Sequence, residues 1–159
     1  MSTPPAHADA HPPWIGRRLL ALLYDLWPAM ALWLLLSALF TTGYTLLGRH
    51  DPHENIAPLS GLQWLLWLCC WGVTGLYAVA SWRHGGQTLG MRPWRLRVRR
   101  LDGGRASTGA LWLRFAVATV SLCAGGLGFW WAWIDRDRLT WHDRASGTRV
   151  LREAGRADD

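Results

Sequence analysis

Between Leu19 and Leu47 the chain runs for 29 residues with a single charge, Asp25. About 20 apolar residues cross a bilayer as a helix, so this run spans with length to spare. Leu62 to Ser81 adds 20 residues without a charge, and Phe115 to Ile134 another 20. In a chain of 159 residues, such runs leave too few polar residues to coat a soluble core. The reading is an all-α membrane protein with three transmembrane segments, about 19–47, 62–81 and 115–134. Residues 1–13, rich in Pro and without regular period, read as a disordered tail. Residues 14–152 form the membrane domain and 153–159 a C-terminal tail. The first run far exceeds the core of a signal peptide, and no small-residue cleavage site follows it.

The 17 basic residues are all Arg and crowd between the runs. Arg17 and Arg18 precede the first. The stretch from Arg83 to Gly109 carries seven Arg against one acid, Asp102, whereas the loop from Gly48 to Gly61 carries Arg49 against Asp51 and Glu54. Cytoplasmic loops collect Arg, so the N-terminus and the Arg-rich loop are expected on the cytoplasmic side. The third segment conflicts with that pattern. As a straight helix, it puts Arg136, Arg138, Arg144, Arg149, Arg152 and Arg156 on the outer side. A break at Gly125-Gly126 makes it re-entrant and returns them. The straight helix is preferred, with Ser121, Ala124, Gly125 and Gly128 as a small-residue packing face alongside Gly72 and Gly75 of the second segment. Among the 13 Trp, most fall near segment ends, while Trp27, Trp33 and Trp71 lie deeper and are expected to pack between helices.

Asp25 is the polar group hardest to place. A carboxylate inside a span costs roughly 2.5–3.5 kcal/mol on insertion scales and is usually functional or paired. Arg18 lies on the same helix face about 10 Å away, too far for a comfortable direct bond. Pro28 leaves the carbonyl of Tyr24 without its helical donor. Two readings stay open: a proton or cation site, or a bundle lock against an Arg or Trp of a neighbouring helix.

The Arg-rich loop holds a period-two stretch, with Trp94, Leu96 and Val98 on one side and Arg95, Arg97 and Arg99 on the other. That predicts a short extended segment or hairpin whose guanidinium face meets anionic lipid headgroups. Asp102-Gly103-Gly104 marks a turn, and Ser107 or Thr108 the N-cap of the next helix. Nucleic-acid binding is not expected, because only Trp94 is available for stacking. His142-Asp143 lacks a third metal ligand, Ser146 lacks a nucleophile elbow, and Cys69, Cys70 and Cys123 lack zinc-site spacing. His50-Asp51-Pro52-His53-Glu54 reads as a solvated loop. No catalytic residue, metal or cofactor is expected.

Three ordered motifs carry a resemblance: Arg18-LLALLY-Asp25; GQTLGMR, with Gln87, Thr88, Gly90 and Arg92; and HDRASGTRV, with His142, Asp143, Gly147 and Thr148. Together they resemble the RDD family of bacterial membrane proteins, over roughly Trp14 to Arg152. The resemblance implies that Arg18, Asp25 and Asp143 are the family's signature Arg and two Asp. It implies a location and key residues rather than a reaction. High Trp content and Pro28 are departures. Two functions remain: a non-catalytic accessory or scaffold module binding partner helices or anionic lipid, as homo-oligomer or with another chain, and an oligomeric proton or cation transporter using Asp25.

Overall fold

The computed structural model describes residues 14–48 and 56–153. Its elements run α1 (Ile15–Gly48), α2 (Gly61–Gly85), β1 (Leu96–Arg100), α3 (Thr108–Cys123), α4 (Leu127–Trp130), α5 (Trp141–Ser146) and β2 (Thr148–Arg152), with a 3-10 turn at Trp131–Trp133 after α4. The helices α1 and α2 are each long and apolar enough to cross a membrane. The disordered tail and the His50–Glu54 cluster lie outside the described residues.

Helix α1 continues through Pro28 without interruption. Ser60 caps α2, its side chain accepting from the backbone of Gln63 at 3.3 Å. Gly86 closes it in the left-handed conformation (φ 71°), a backbone state in which a Cβ is disfavoured. Helix α2 lies in the middle, packed on α1 on one side and α3 on the other. Gly75 permits the close approach to α3, since a Cβ there would sit 2.5 Å from the Trp112 ring. The indole of Trp33 donates to Thr74 at 2.8 Å, and that of Trp71 to Thr119 at 3.2 Å, so both join helices as expected. Trp27 does not; it is 74% exposed and faces outward.

The third segment is not a straight helix. Its two halves, Thr108–Cys123 and Leu127–Trp133, meet at 108°. Gly125 (φ 69°) and Gly126 (φ 79°) make the corner, consecutive left-handed residues that only Gly adopts without strain. The amide of Gly126 still finds the Ser121 carbonyl at 2.8 Å, and Phe129 finds Gly126 at 2.8 Å, so the turn satisfies its own backbone. The expected small-residue face is therefore folded on itself, with Gly128 seated against Ser121 and Trp141. Past the corner, Gly128, Phe129 and Ala132 are buried while Trp130, Trp131 and Trp133 face outward.

The fold is mostly helical but not all-α. Strand β1 forms, but not as a local hairpin: it pairs antiparallel with β2, Val98 opposite Val150 and Arg99 opposite Arg149. The strand starts later than the alternation suggests, because Arg95 sits in a left-handed turn (φ 53°). Arg95 is thereby removed from the face shared by Arg97 and Arg99. Leu96, Val98 and Val150 turn inward onto Ala21, Val79, Met91 and Leu111, a core where helices, loop and sheet meet.

The guanidinium of Arg152 stacks over the Trp14 ring at 5.5 Å, so the start of α1 and the end of the sheet share one face. Topology reporters fused ahead of Trp14 and after Asp159 should accordingly read the same side of the membrane. Opposite sides would require the straight segment and rule out this fold.

Candidate functional site

Arg18 enters from the first turns of α1, Arg114 from the second turn of α3, and Asp143 from α5. Nη1 of Arg18 donates to Oδ2 of Asp143 at 2.5 Å, and Nη1 of Arg114 to Oδ1 at 2.5 Å. The carboxylate is fully buried, and the two guanidinium groups nearly so. Short α5 is shaped to hold it. Thr140 caps the helix by accepting from the Asp143 amide at 3.3 Å, and Oδ2 of Asp143 returns the bond to the Thr140 amide at 3.3 Å. This reciprocal capping box fixes the carboxylate independently of the two Arg. Gly147 (φ 61°) ends the helix and passes the chain to Thr148, whose hydroxyl accepts from Arg114 at 2.8 Å.

Burial alone would push the Asp143 carboxyl up, but the Arg18 and Arg114 guanidinium groups hold it well below the usual carboxylate range. His142, stacked on Phe129 with ring centroids 4.8 Å apart, is pushed down to about 3, first by burial and then by the charge of Arg114. It is a neutral imidazole at ordinary pH.

Asp25 belongs to a separate cluster. Its Oδ1 accepts from the Tyr77 hydroxyl at 2.8 Å and from the Gly90 amide at 2.9 Å, and its Oδ2 accepts from the Thr88 hydroxyl. The partners are thus a Tyr of α2 and the GQTLGMR loop, not the Arg or Trp expected of a lock. Gly90 has no freedom to change, because a Cβ would run into the Ala21 carbonyl and sit 2.8 Å from the Asp25 carboxyl carbon. Of the motif's other members, Gln87 is half-buried and Arg92 exposed at the loop's outer edge.

The structure therefore brings Arg18 and Asp143 together, places Asp25 with Thr88 and Gly90, and adds residues that the motif reading missed, Tyr77 and Thr140 beside them and, with a charge of its own, Arg114. The available signal was the one applied to Asp25. Once Ser107 caps the helix, Arg114 becomes a charge inside it rather than at its border. Among the described residues, no group of three or more His, Cys, Asp or Glu is arranged to hold a metal.

Both titrating groups favour the folded state above their unfolded pKa values. A depressed His contributes stability that fades as pH falls from about 6.5 toward about 3. The depressed Asp143 contributes stability that fades below its ordinary value of 3.8. Acid should thus lower the melting temperature in two stages, followed by tryptophan fluorescence in detergent. His142→Phe, which keeps the ring on Phe129, should flatten the upper stage. Asp143→Asn should lose about 3–5 kcal/mol at neutral pH, as expected for a buried ion pair stripped of one partner. An Asn variant as stable as the parent would refute the ionic account of the cluster.

Comparison with curated proteins and with solved structures finds no match. The RDD family model matches residues 12–147, which takes in the first two motifs, the third as far as Gly147, and Arg18, Asp25, Arg114 and Asp143. That match covers most of the chain, and the protein belongs to the RDD family of membrane proteins.

Proposed function

We propose that this protein is a non-catalytic accessory or scaffold module of the bacterial inner membrane, with its N-terminus in the cytoplasm, that binds anionic lipid headgroups through its Arg-bearing cap. The single observation that carries this is the register of the sheet. Arg99 stands directly opposite Arg149, and Arg97 lies two residues along on the same face. Like charges directly opposed across a ladder are destabilising unless an anion lies over them. Arg97 has Glu153 at 2.8 Å, which leaves the Arg99–Arg149 pair as the positive centre of the face. Each Arg near an anionic membrane surface contributes about 1 kcal/mol.

The corner at Gly125-Gly126 supports the orientation. It brings the Arg of the last segment to the same face as the start of α1 and the Arg-rich loop, which is the distribution expected of a cytoplasmic face. The Asp25 cluster supports a module over a proton or cation transporter. With three donors on its two oxygens, Asp25 holds a loop in place. Partner helices would meet the outward faces of α1 and α2, where Leu34, Leu35, Leu39 and Leu68 are exposed.

The test is the triple change of Arg97, Arg99 and Arg149 to Gln. Retention of phosphatidylglycerol over phosphatidylcholine by the purified protein, read by lipid mass spectrometry, should fall by an amount consistent with about 1 kcal/mol per Arg removed. Unchanged retention would sink the headgroup reading. Proton flux into liposomes that Asp25→Asn abolishes would favour transport instead.

A further inference from the structure

The three long helices do not close on one another. They leave a cavity of about 940 Å³, at the upper end of the roughly 300–1,000 Å³ that ligand pockets occupy. Its lining follows α1 from Arg18 to Ser37 and α2 from Gln63 to Trp82. Each stretch is about 28 Å at 1.5 Å per residue, close to the thickness of a bilayer's hydrocarbon core. Leu22, Leu26, Leu66, Phe115 and Leu122 make much of its wall.

One end differs. Arg18, Arg114 and His142 all line the cavity, and the two Arg converge on Asp143. Two guanidinium groups meet one carboxylate there, an excess of one positive charge among side chains that are at most 8% exposed. Among the described residues, the hydrogen bonds of both Arg run through Nη1. The Nε of Arg18, the Nε of Arg114 and the Nδ1 of His142 are buried without a partner among the described residues. A guanidinium has five donors in a planar fork that suits a carboxylate, and these two use a fraction of them.

We infer that this cavity is a binding site for a long-chain carboxylate, its head on the spare donors of Arg18 and Arg114 and its tail along the apolar cleft. This site goes beyond the headgroup surface proposed above and does not depend on it. The head is a monoanion because the local excess is one charge, and a small one because the guanidinium groups are so deeply buried. The tail is an apolar chain, because the lining away from the Arg end is largely Leu, Ala, Phe and Trp. Asp25 also lines the cavity, but it stands two turns along α1, about 10 Å from Arg18, with both oxygens taken by Tyr77, Thr88 and Gly90. The anionic head therefore belongs at the Arg end.

Saturation binding of radiolabelled oleate to the full chain in zwitterionic detergent tests this. The expected result is one saturable site per chain, against which oleyl alcohol competes poorly. Arg114→Gln should weaken binding at least about tenfold, the loss of one charge-assisted hydrogen bond. Because that variant also strips Asp143, Ala118→Phe, at a residue of α3 that lines the cavity, provides a second arm. It fills the wall, leaves the ionic cluster intact, and should weaken binding comparably while the melting temperature holds. Oleate binding that survives Ala118→Phe overturns the assignment, as does equal competition by the alcohol. Displacement of oleate by phosphatidylglycerol at lower concentration overturns the small-head assignment. Loss of oleate binding in the Arg97, Arg99 and Arg149 triple variant would place the ligand on the outer face, and the cavity site would fall while the surface reading stood.

Discussion

The carboxylate of Asp143 joins parts of the chain that nothing else would bring together. Arg18 lies 125 residues before it and Arg114 lies 29 before it, on separate helices. Desolvating three charges is expensive, and a buried ion pair is weak grounds for net stability. Its larger effect is on geometry. In lipid, apolar helices gain nothing hydrophobic by associating, so rotation and sliding are weakly opposed. A charge that has one possible partner removes that freedom. Arg18 and Asp25 lie seven residues apart, about two turns, and so on nearly the same face of α1. One is tied to α5 and the other to Tyr77 and the loop. Two anchors on one helix, held by different parts of the fold, fix its depth and its rotation together.

The same division explains why Arg18 and Asp25 share a helix without pairing. Each needs a partner that matches its own chemistry. The Arg18 fork takes a buried carboxylate and the Thr140 hydroxyl, both positioned by a capping box that forms locally. Asp25 takes a phenol, a hydroxyl and a backbone amide, neutral donors that satisfy it without another charge in the span. The backbone donor demands contact between loop and helix, and that contact is why residue 90 is Gly. A loop motif that looks like simple turn chemistry is therefore one half of a helix-docking surface.

What could be read from the sequence follows from the range of the interactions involved. The two long spans were legible because apolar length is local. So were the cap at Ser107 and the alternation around Leu96 and Val98. The β1–β2 pair was not. Thr148–Arg152 carries the matching alternation, but it is only five residues long and pairs with a strand far back in the chain. The motifs named Arg18, Asp25 and Asp143, yet spacing along the chain could not say which joined which. Arg114 escaped because it stands just ahead of the apolar run that begins at Phe115. A helix begins where its cap is, not where its hydrophobicity begins, and seven residues of α3 precede the run.

The third segment shows how charge decides a shape that hydropathy leaves open. A straight helix from Thr108 would satisfy every backbone bond and bury no strain, and by local cost alone it wins. It would also separate Asp143 from Arg18 and Arg114, leaving two guanidinium groups in an apolar setting with no anion. Breaking a buried pair costs about 3–5 kcal/mol. The corner itself is inexpensive, because Gly125 and Gly126 take up the left-handed backbone and the Ser121 carbonyl accepts the freed amide. Two adjacent glycines therefore carry the decision. They make the bend cheap enough that three charges, distant in sequence, determine where the rest of the chain goes.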